Sequence, residues 1–258
     1  MTISYVAPSR GCSHVLNFEP SEDLSFVIGS FLGDGSFVED SDYHHHVKLA
    51  VRDRDFAEAF NLAVGHILGR KTNKIIVTHD LGKVYYESKY SSRSLGLFLS
   101  SSLGELRPFA DAYPAEFLRG IFSADGCAGL YVDHGYLRLQ IVLGNSDPEL
   151  LGLVKSLLQS HFQLHSNTYL RKRRGATWKN GSKTVVLRKD AYALQIQRVH
   201  DVRAFVEKIG FVIARKQHVA EQAILLNRTI GSSRAAVEWR KHCSQKKGGR
   251  WHNFGPSE

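Results

Sequence analysis

The chain has only three cysteines, Cys12, Cys127 and Cys243, and no two of them form a CxxC pair. Because their number is odd and they lie far apart, neither a disulfide framework nor a cysteine zinc site is expected. Scarce, dispersed cysteines are typical of a reducing environment. We therefore expect an intracellular protein, located in the cytoplasm or nucleoid, or in an organelle if the host is eukaryotic.

Long apolar runs are also missing. No apolar run approaches the about 20 residues of a membrane span, and the first residues, MTISYVAPSRGC, lack the apolar core of a secretory signal. The hydrophobic fraction of 43% and the charged fraction of 23% are those of a globular protein. We expect no membrane partner, and the 258 residues suffice for one large domain or two lobes.

Acidic residues are scarce in the second half of the chain. Residues 114–258 hold 23 Lys and Arg against 11 Asp and Glu, whereas residues 1–113 hold 11 against 14. The net charge of the whole chain is +9, and most of the excess lies in the second half. A basic surplus favours a polyanionic partner, most simply nucleic acid; the alternative is an enzyme that is merely basic.

Two short stretches repeat one pattern. FVIGSFLGDGSF (26–37) and FLRGIFSADGCA (117–128) are rich in apolar residues and glycine, and each presents a single acid before a glycine, Asp34 or Asp125. We predict a buried helix at each stretch, the first capped by Ser21 and the second starting at Pro114.

Small residues recur at helical spacing on both predicted helices. Gly29 and Gly33 stand four apart on the first, and Gly120 and Ala124 do so on the second. Residues at this spacing share one helix face, and small side chains permit close approach of the backbones. The pattern therefore predicts that the two helices pack together at a pseudo-symmetric seam and place their terminal acids side by side.

Paired carboxylates at helix C-termini are unfavourable in isolation. The helix end already carries partial negative charge, and the two carboxylates repel each other. A divalent cation removes the conflict, and oxygen ligands suit Mg²⁺. We expect Asp34 and Asp125 to bind it together with the backbone carbonyls of Gly33 and Ala124. The alternative, that each Asp-Gly only turns the chain from helix into strand, is weaker for two equivalent copies.

The segments after the two acids follow one order. Each contains a hairpin, a helix, two more strands and a closing helix, so both halves read α-β-β-α-β-β-α with mixed, mainly antiparallel sheets, an α/β (α+β) fold. The second hairpin turns at Asp133-His134-Gly135. The following helices are expected to begin at Asp55, with Glu58 in a capping box, and at Asp147. Further strands are expected in the second half at 167–174 and 183–197.

These patterns divide the chain into four parts. We expect an N-terminal arm at 1–20, a first lobe at 21–111, a second lobe at 112–228 and a basic C-terminal tail at 229–258. The tail either contacts DNA or is mobile.

The segments VIGSFLGDG (27–35) and LRGIFSADG (118–126) resemble the two motifs of LAGLIDADG homing endonucleases of the single-chain, two-motif type. The resemblance extends over residues 21 to 228. It implies two pseudo-symmetric αββαββα lobes that form a saddle of antiparallel sheets over DNA. It also implies site-specific, metal-dependent hydrolysis that makes a double-strand break in a long asymmetric target, intron homing, and a monomer without an obligate protein partner. The sequence departs from the motif at its first acid, where Leu32 and Ser123 stand.

The resemblance also assigns roles to individual residues. It implies that Asp34 and Asp125 are catalytic and bind Mg²⁺, with two or three ions at the centre between the lobes. It places Asp53 and Asn145 where a polar residue positions solvent; helix capping is the alternative for them. Lys216 matches a basic residue near the active centre, the alternative being a solvated lysine. No equivalent first-lobe lysine is evident.

We expect the outward-facing strand residues to contact DNA, since Arg and Gln side chains read base edges in the major groove. In the first lobe these are Ser36, Val38, Asp40, His44, His46, Lys48 and Arg52, and in the second Tyr131, Asp133, Tyr136, Arg138 and Gln140. Residues 171–189 carry eight basic residues and no acid, so we expect a flexible hairpin that grips phosphates, unless it is only a solvated loop. The residues of this segment that we expect to contact DNA are Arg171, Arg173, Arg174, Lys179, Lys183 and Arg188.

The same residues allow other interpretations. His44–His46 invite a zinc site, but strand alternation points His45 away from its neighbours, which disfavours one. An RNA maturase, acting as an intron splicing cofactor, and a non-cleaving DNA-binding regulator are both possible on the same scaffold. A regulator has no need of both acids. An intein is not expected, because only about twenty residues precede the first motif.

Overall fold

A computed structural model of the chain describes residues 3–7, 14–41, 44–80, 82–180 and 183–242. The chain divides into two compact units, and the boundary falls between Asp125 and Gly126. Both motif helices therefore belong to the first unit. None of the helices formed by these residues is long and apolar enough to cross a membrane.

The elements of the first unit follow in chain order. They are β1 (Ile3–Ala7), β2 (His14–Phe18), α1 (Glu22–Asp34), β3 (Gly35–Ser41), β4 (His44–Val51), α2 (Arg54–Ile67), β5 (Ile76–Asp80), β6 (Lys83–Ser91), α3 (Arg93–Leu99), α4 (Leu103–Ala112) and α5 (Pro114–Asp125).

The first unit is built on a four-stranded antiparallel sheet with the order β3-β4-β6-β5. Phe37 lies opposite Val47, and Val47 lies opposite Tyr90. Val47 and Tyr90 are fully buried and form one face of the core with the apolar sides of α1 and α2. The alternation of apolar and polar residues in these strands thus separates a core face from an outer face.

A buried polar residue fixes α2 to the sheet. Asn61 is 5% exposed; its amide donates to the carbonyl oxygen of Asn73 at 2.7 Å and its side-chain oxygen accepts from the Ser88 hydroxyl at 3.2 Å. The Tyr90 hydroxyl donates to the backbone carbonyl of Asn61 at 2.8 Å. Because its amide group is satisfied on both sides, this polar residue is tolerated in an apolar core.

The elements of the second unit follow in the same way. They are β7 (Gly126–Asp133), β8 (Tyr136–Asn145), α6 (Pro148–Phe162), β9 (Asn167–Lys172), β10 (Thr177–Asn180), β11 (Lys183–Val186), β12 (Ala191–Ile196), α7 (Val199–Lys208), α8 (Ala214–Ile230) and α9 (Ser232–His242).

The second unit repeats the sheet topology of the first. Its strands are antiparallel in the order β7-β8-β12-β9, which matches β3-β4-β6-β5 once β10 and β11 are left aside. The β7–β8 hairpin turns at His134 and Gly135, whose φ angles of 46° and 83° are both positive. This is the backbone of a type I′ turn, whose twist suits a two-residue hairpin loop. The predicted repeat and its hairpin turn are confirmed.

The region between β9 and β12 differs from the prediction. Residues 183–197 are not one strand, because β11 pairs with β10 in a separate two-stranded hairpin, with Thr177 opposite Val186, whereas β12 joins the main sheet. The predicted basic hairpin at 171–189 is therefore present, and it is inserted between two strands of the repeat.

The C-terminal helix belongs to the second unit. Trp239 of α9 is 1% exposed and packs with Ala235, Ala236 and Leu137 of β8. The boundary that we drew at residue 228 falls inside α8. The expected basic tail thus contains a packed helix up to residue 242, and Lys246, Lys247 and Arg250 lie outside the described residues.

Candidate nucleic-acid interface and acidic centre

Helices α1 and α5 pack backbone against backbone. A side-chain carbon at Gly29 would overlap the carbonyl oxygen of Phe117, and one at Gly33 would overlap the Cβ of Ala124. Close approach of this kind needs residues without bulk at the crossing. Gly33 and Ala124 directly precede Asp34 and Asp125. The two helices are therefore in close contact in their last turns, directly before the acids, as the spacing of small residues predicts.

Both acids end their helices. Asp34 is the last residue of α1 and is exposed, and Asp125 is the last residue of α5 and is half-buried. Gly35 follows Asp34 directly, where a side-chain carbon would overlap Phe31, so glycine lets the chain pass at once from helix into β3. At the first acidic position of the motif, Leu32 is half-buried and Ser123 is fully buried.

The chemistry of this acidic centre suits a hard divalent cation. It offers two carboxylates, and the C-terminal carbonyls of two helices add partial negative charge of the same sign. Oxygen donors of this type bind Mg²⁺, Mn²⁺ or Ca²⁺ rather than softer metals. Within the part of the chain that the structure describes, no three His, Cys, Asp or Glu residues are grouped to hold a metal ion.

Asp53 and Asn145 do not occupy identical positions. Asp53 is the N-cap residue of α2, where its side chain makes no capping hydrogen bond. Asn145 is the last residue of β8, and its side-chain oxygen accepts from the backbone N–H of Asp147 at 2.9 Å. Asp147 is the N-cap residue of α6, as predicted, and it accepts from the N–H groups of Glu149 and Leu150.

The predicted start of α2 is wrong. The helix begins at Arg54, so Asp55 lies in its first turn and accepts from the neighbouring N–H of Phe56 at 2.9 Å. Glu58 pairs with Arg54 at 2.7 Å instead of closing a capping box. The i,i+4 ion pair competes for the Glu58 carboxylate, and α2 starts at Arg54, one residue before the predicted start at Asp55.

Lys216 lies in the first turn of α8 and is half-buried, with its ammonium 6.0 Å from the centre of the Phe211 ring. Its charge acts on Cys127, which stands two residues after Asp125 in the chain. Burial raises the pKa of the Cys127 thiol, and the charges of Lys216 and Arg171 oppose that rise. Lys216 and Arg171 therefore lie within electrostatic range of the start of β7.

The outer face of the first sheet carries the predicted strand residues. Ser36 lies opposite Lys48, and Val38 lies opposite His46. Ser36, Val38, His46 and Lys48 are half-buried, while Arg52, just past β4, is exposed. The side chains of Asp40 and His44 lie outside the described part of the chain.

Two of these residues have local partners. The Lys48 ammonium is 3.8 Å from the Glu87 carboxylate, and a ring nitrogen of His46 lies 3.1 Å from the Ser91 hydroxyl. Within the His44–His46 run, His45 faces Glu39 at 3.2 Å. His45 and His46 thus use different partners, in keeping with strand alternation.

The outer face also includes residues of β6 that were not among the predicted DNA contacts. Lys89 stands opposite Lys48, and Ser91 stands opposite His46, so the rows of outward residues continue across three strands. The polar alternation of KVYYESKYS is the sequence signal for this face, and the pairing of β4 with β6 places it beside the outward residues of β4.

The outer face of the second sheet is similar in kind. Tyr131 lies opposite Arg138, and Asp133 lies opposite Tyr136. The Arg138 guanidinium is 5.5 Å from the centre of the Tyr136 ring, a cation–π contact. Gln140 accepts a hydrogen bond from Gln195 of β12, a residue that the sequence analysis also missed.

The β10–β11 hairpin and its flanks are strongly basic. Arg171, Arg173, Arg174, Lys179 and Arg188 are exposed, and the side chain of Lys183 lies outside the described part of the chain. The backbone N–H of Arg174 donates to Asp190 at 2.6 Å, which ties the hairpin base together. Exposed cations on a short hairpin suit phosphate contacts.

A family model and two known protein sequences are similar to this chain. A family model described as a LAGLIDADG-like domain matches residues 112–210. An uncharacterized protein of Methanocaldococcus jannaschii is 30% identical over 203 residues, which cover 78% of this chain and 71% of that protein. A DNA polymerase of Thermococcus hydrothermalis is 27% identical over 231 residues, which cover 83% of this chain and 12% of the polymerase.

Solved structures share the fold. I-DmoI in complex with DNA and Mn is 19% identical with a TM-score of 0.51, covering 74% of this chain and 98% of that one. The homing endonuclease I-WcaI bound to its DNA recognition sequence is 14% identical with a TM-score of 0.50, covering 78% and 87%. Full-length DUF199/WhiA from Thermatoga maritima is 19% identical with a TM-score of 0.50, covering 86% and 66%.

Proposed function

Because the chain belongs to the LAGLIDADG family and carries two copies of the motif in one polypeptide, we propose that it is a site-specific homing endonuclease. It makes a double-strand break in a long asymmetric DNA target by metal-dependent hydrolysis of phosphodiesters. The fold is a DNA-binding and endonuclease scaffold, since solved proteins that share it include homing endonucleases bound to DNA.

One observation carries the proposal. The backbones of α1 and α5 come together at Gly33 and Ala124, the residues directly before Asp34 and Asp125. Packing alone does not require an acid at the end of either helix, and two like charges near two helix C-termini oppose it. The presence of both carboxylates is therefore best explained by a bound divalent cation.

The proposed roles follow from the donor types. Asp34 and Asp125, with the carbonyl oxygens of Gly33 and Ala124, would hold two or three divalent ions, Mg²⁺ in our proposal. Such ions supply an activated water and stabilise the leaving oxygen when bound. I-DmoI was crystallised with Mn and with Ca, and divalent ions of this type share oxygen ligands.

Other side chains support the reaction around the acids. Asp53 and Asn145 would orient water by hydrogen bonding, as carboxylate and amide groups can. Lys216 would stabilise negative charge that develops on a phosphate in the transition state. The outer faces of the two sheets would follow the DNA grooves, and the exposed arginines and lysine of the β10–β11 hairpin would bind phosphates.

Replacement of each acid by its amide tests the proposal. We expect Asp34→Asn and Asp125→Asn each to abolish double-strand cleavage of a target selected from a randomised library, while DNA binding measured by gel shift survives. Asp111→Asn is the matched control, because Asp111 is an exposed acid of α4 paired with Arg107 at 3.3 Å. Unchanged cleavage in both motif variants would overturn the proposal.

A second candidate is a non-cleaving DNA-binding regulator, favoured by the likeness to WhiA, which covers 86% of this chain. The same assay separates the two. A regulator binds its selected DNA without cutting it in Mg²⁺ or Mn²⁺, and the Asp34→Asn change leaves its activity intact. Intron-splicing assays with RNA address a maturase role, and light scattering tests our proposal of a monomer.

A further inference from the structure

The side chain of Gln217 ties the start of α8 to the end of α7. Its oxygen accepts from the backbone N–H of Phe211 at 3.0 Å, and its amide donates to the carbonyl oxygen of Val206 at 3.3 Å and to the Glu221 carboxylate at 2.8 Å. Val206 lies near the end of α7, Phe211 lies in the connection between the helices, and Glu221 lies one turn further along α8. One amide group therefore fixes how the chain passes from α7 into α8.

The connection between the helices is shaped around this side chain. Gly210 has a φ angle of 66°, and a side-chain carbon there would come within 2.8 Å of the Gln217 oxygen. Glycine suits this position both for its backbone conformation and for the close approach of the amide. Ile213, the N-cap residue of α8, makes no side-chain capping hydrogen bond. Gln217 therefore supplies the side-chain hydrogen bonds that position the first turn of α8.

The ring of Phe211 connects this arrangement to Lys216. Phe211 is 6% exposed, and its ring meets that of Phe205 at 61° with the ring centroids 5.5 Å apart. The Lys216 ammonium lies 6.0 Å from the centre of the Phe211 ring, within the range of a cation–π contact. Lys216 also directly precedes Gln217 in the first turn of α8. Gln217 thus acts on Lys216 both through the helix backbone and through Phe211.

A lysine that stabilises a transition state has to be held in place. Its ammonium sits on a flexible stem of four carbons, and ordering such a stem costs conformational entropy. Charge stabilisation of this kind is effective when the donor is positioned before the reaction. We propose that Gln217 is a positioning residue, which fixes Phe211 and the first turn of α8 and through them holds the Lys216 ammonium for phosphodiester cleavage. This inference rests on the role proposed for Lys216 in the endonuclease.

Single-turnover cleavage by the full chain in Mg²⁺ tests this role. Gln217→Met keeps the length of the side chain and removes its hydrogen bonds. We expect the rate constant at saturating DNA to fall roughly tenfold while the affinity for DNA in a gel shift is unchanged, because displacing a catalytic group slows the chemical step. Gln222→Met is the matched control, since Gln222 is an exposed glutamine of the same helix, and it should cleave at the wild-type rate.

A double variant separates positioning from a merely structural role. If Gln217 acts through Lys216, then Lys216→Met combined with Gln217→Met cleaves at the same rate as Lys216→Met alone. If Gln217 only stabilises the fold, the two losses multiply. Multiplied losses, or cleavage by Gln217→Met at the wild-type rate, would overturn the proposal.

A pair of conservative changes gives a second test, which applies even if Gln217→Met fails to fold, as circular dichroism would reveal. Gln217→Glu keeps the acceptor for the Phe211 N–H but sets a carboxylate against the Glu221 carboxylate. Adding Glu221→Gln replaces that repulsion with an amide donor. We expect Gln217→Glu to slow cleavage and the added change to recover most of the rate. Absence of any recovery would contradict the proposal.

A measurement without DNA keeps this inference distinguishable from the endonuclease proposal. In ¹H–¹³C spectra of the full chain carrying ¹³C-labelled lysine, the Lys216 signal is assigned by its absence in Lys216→Met. We expect this signal to move in Gln217→Met and to stay in place in Gln222→Met. If the wild-type chain cuts no selected DNA, the endonuclease proposal fails while this signal still reports on Lys216. An unchanged signal in Gln217→Met would overturn the positioning role, whatever the cleavage result.

Discussion

Gly29 and Gly120 are placed reciprocally in the packing of α1 against α5. A side-chain carbon at Gly29 would overlap the carbonyl oxygen of Phe117, and one at Gly120 would overlap that of Phe26. Each phenylalanine stands three residues before the glycine of its own helix. Each helix therefore offers its glycine to the same turn of the other, as expected for two helices related by a local two-fold axis.

This reciprocity predicts matched effects on stability. Gly29→Ala and Gly120→Ala each force a methyl group against backbone atoms that cannot rotate away, so we expect each to lower the free energy of unfolding by about 1–3 kcal/mol. Urea unfolding followed by circular dichroism measures the loss.

Gly152→Ala is the control for this pair. Gly152 is an exposed residue of α6 with no atom within 4 Å of an added side-chain carbon. Because alanine is the better helix former, we expect this change to stabilise the protein by about 0.5–1 kcal/mol. A stabilising effect of Gly29→Ala would contradict the close packing of α1 and α5.

The two N-terminal caps predict an asymmetry within the repeat. Asp147 accepts from two backbone N–H groups at the start of α6, so Asp147→Ala should cost about 1 kcal/mol. Asp55, at which the sequence predicts the corresponding helix of the first half to begin, lies inside the first turn of α2, and Asp55→Ala should cost clearly less. Equal losses in thermal unfolding would instead support Asp55 as the cap of α2.

The environment of Cys127 predicts its reactivity. Burial raises the pKa of its thiol, and Lys216 lowers it. Lys216→Met removes this opposing charge, so the pKa should rise further and the thiolate fraction at pH 8 should fall. We expect slower alkylation of Cys127 by iodoacetamide, measured by peptide mass spectrometry.

Two controls make this measurement specific. The other cysteines, Cys12 and Cys243, are replaced by serine in every protein compared. Arg215→Met, which changes the exposed residue beside Lys216, should leave the alkylation rate nearly unchanged. An unchanged or faster alkylation rate in Lys216→Met would contradict the prediction that this lysine lowers the pKa of the Cys127 thiol.

The uneven distribution of charge predicts unequal salt dependence of DNA binding. The second half of the chain holds the basic surplus, and the cations of the β10–β11 hairpin are exposed. Loss of each phosphate contact reduces the slope of log K against log salt by roughly 0.9. Glutamine replacements are compared in two exposed sets: Arg173, Arg174 and Lys179 in the second unit, and Lys71, Lys74 and Lys83 in the first. We expect a larger reduction from the second-unit set; equal reductions would count against it.

Sequence patterns predicted the elements whose signals are local. The small-residue spacing predicted the α1–α5 packing, and Asp133-His134-Gly135 predicted the β7–β8 turn, because glycine and hairpin rules act within a few residues. Alternation predicted the faces of β4 and β8 for the same reason.

Features that depend on tertiary contacts were not predicted. Residues after 228 look basic, yet Trp239 is buried against Leu137 of β8. No local sequence pattern shows that this side chain has an apolar partner in β8. Glu58 could close a capping box or pair with Arg54, and only the structure shows the ion pair. A cavity of the second unit is lined by residues that range from Tyr131 to Ser232, and no short sequence segment connects them.

The β10–β11 hairpin forms its own two-stranded sheet between β9 and β12, which pair directly with each other. Its pairing shares no strand with the main sheet, so lengthening, shortening or recoding it leaves the register of β9 and β12 unchanged. Under the proposed function, changes in target preference would arise at this insertion while the helices that end in Asp34 and Asp125 keep their sequence. The fold separates the part of the molecule that is free to diverge from the part that must stay fixed.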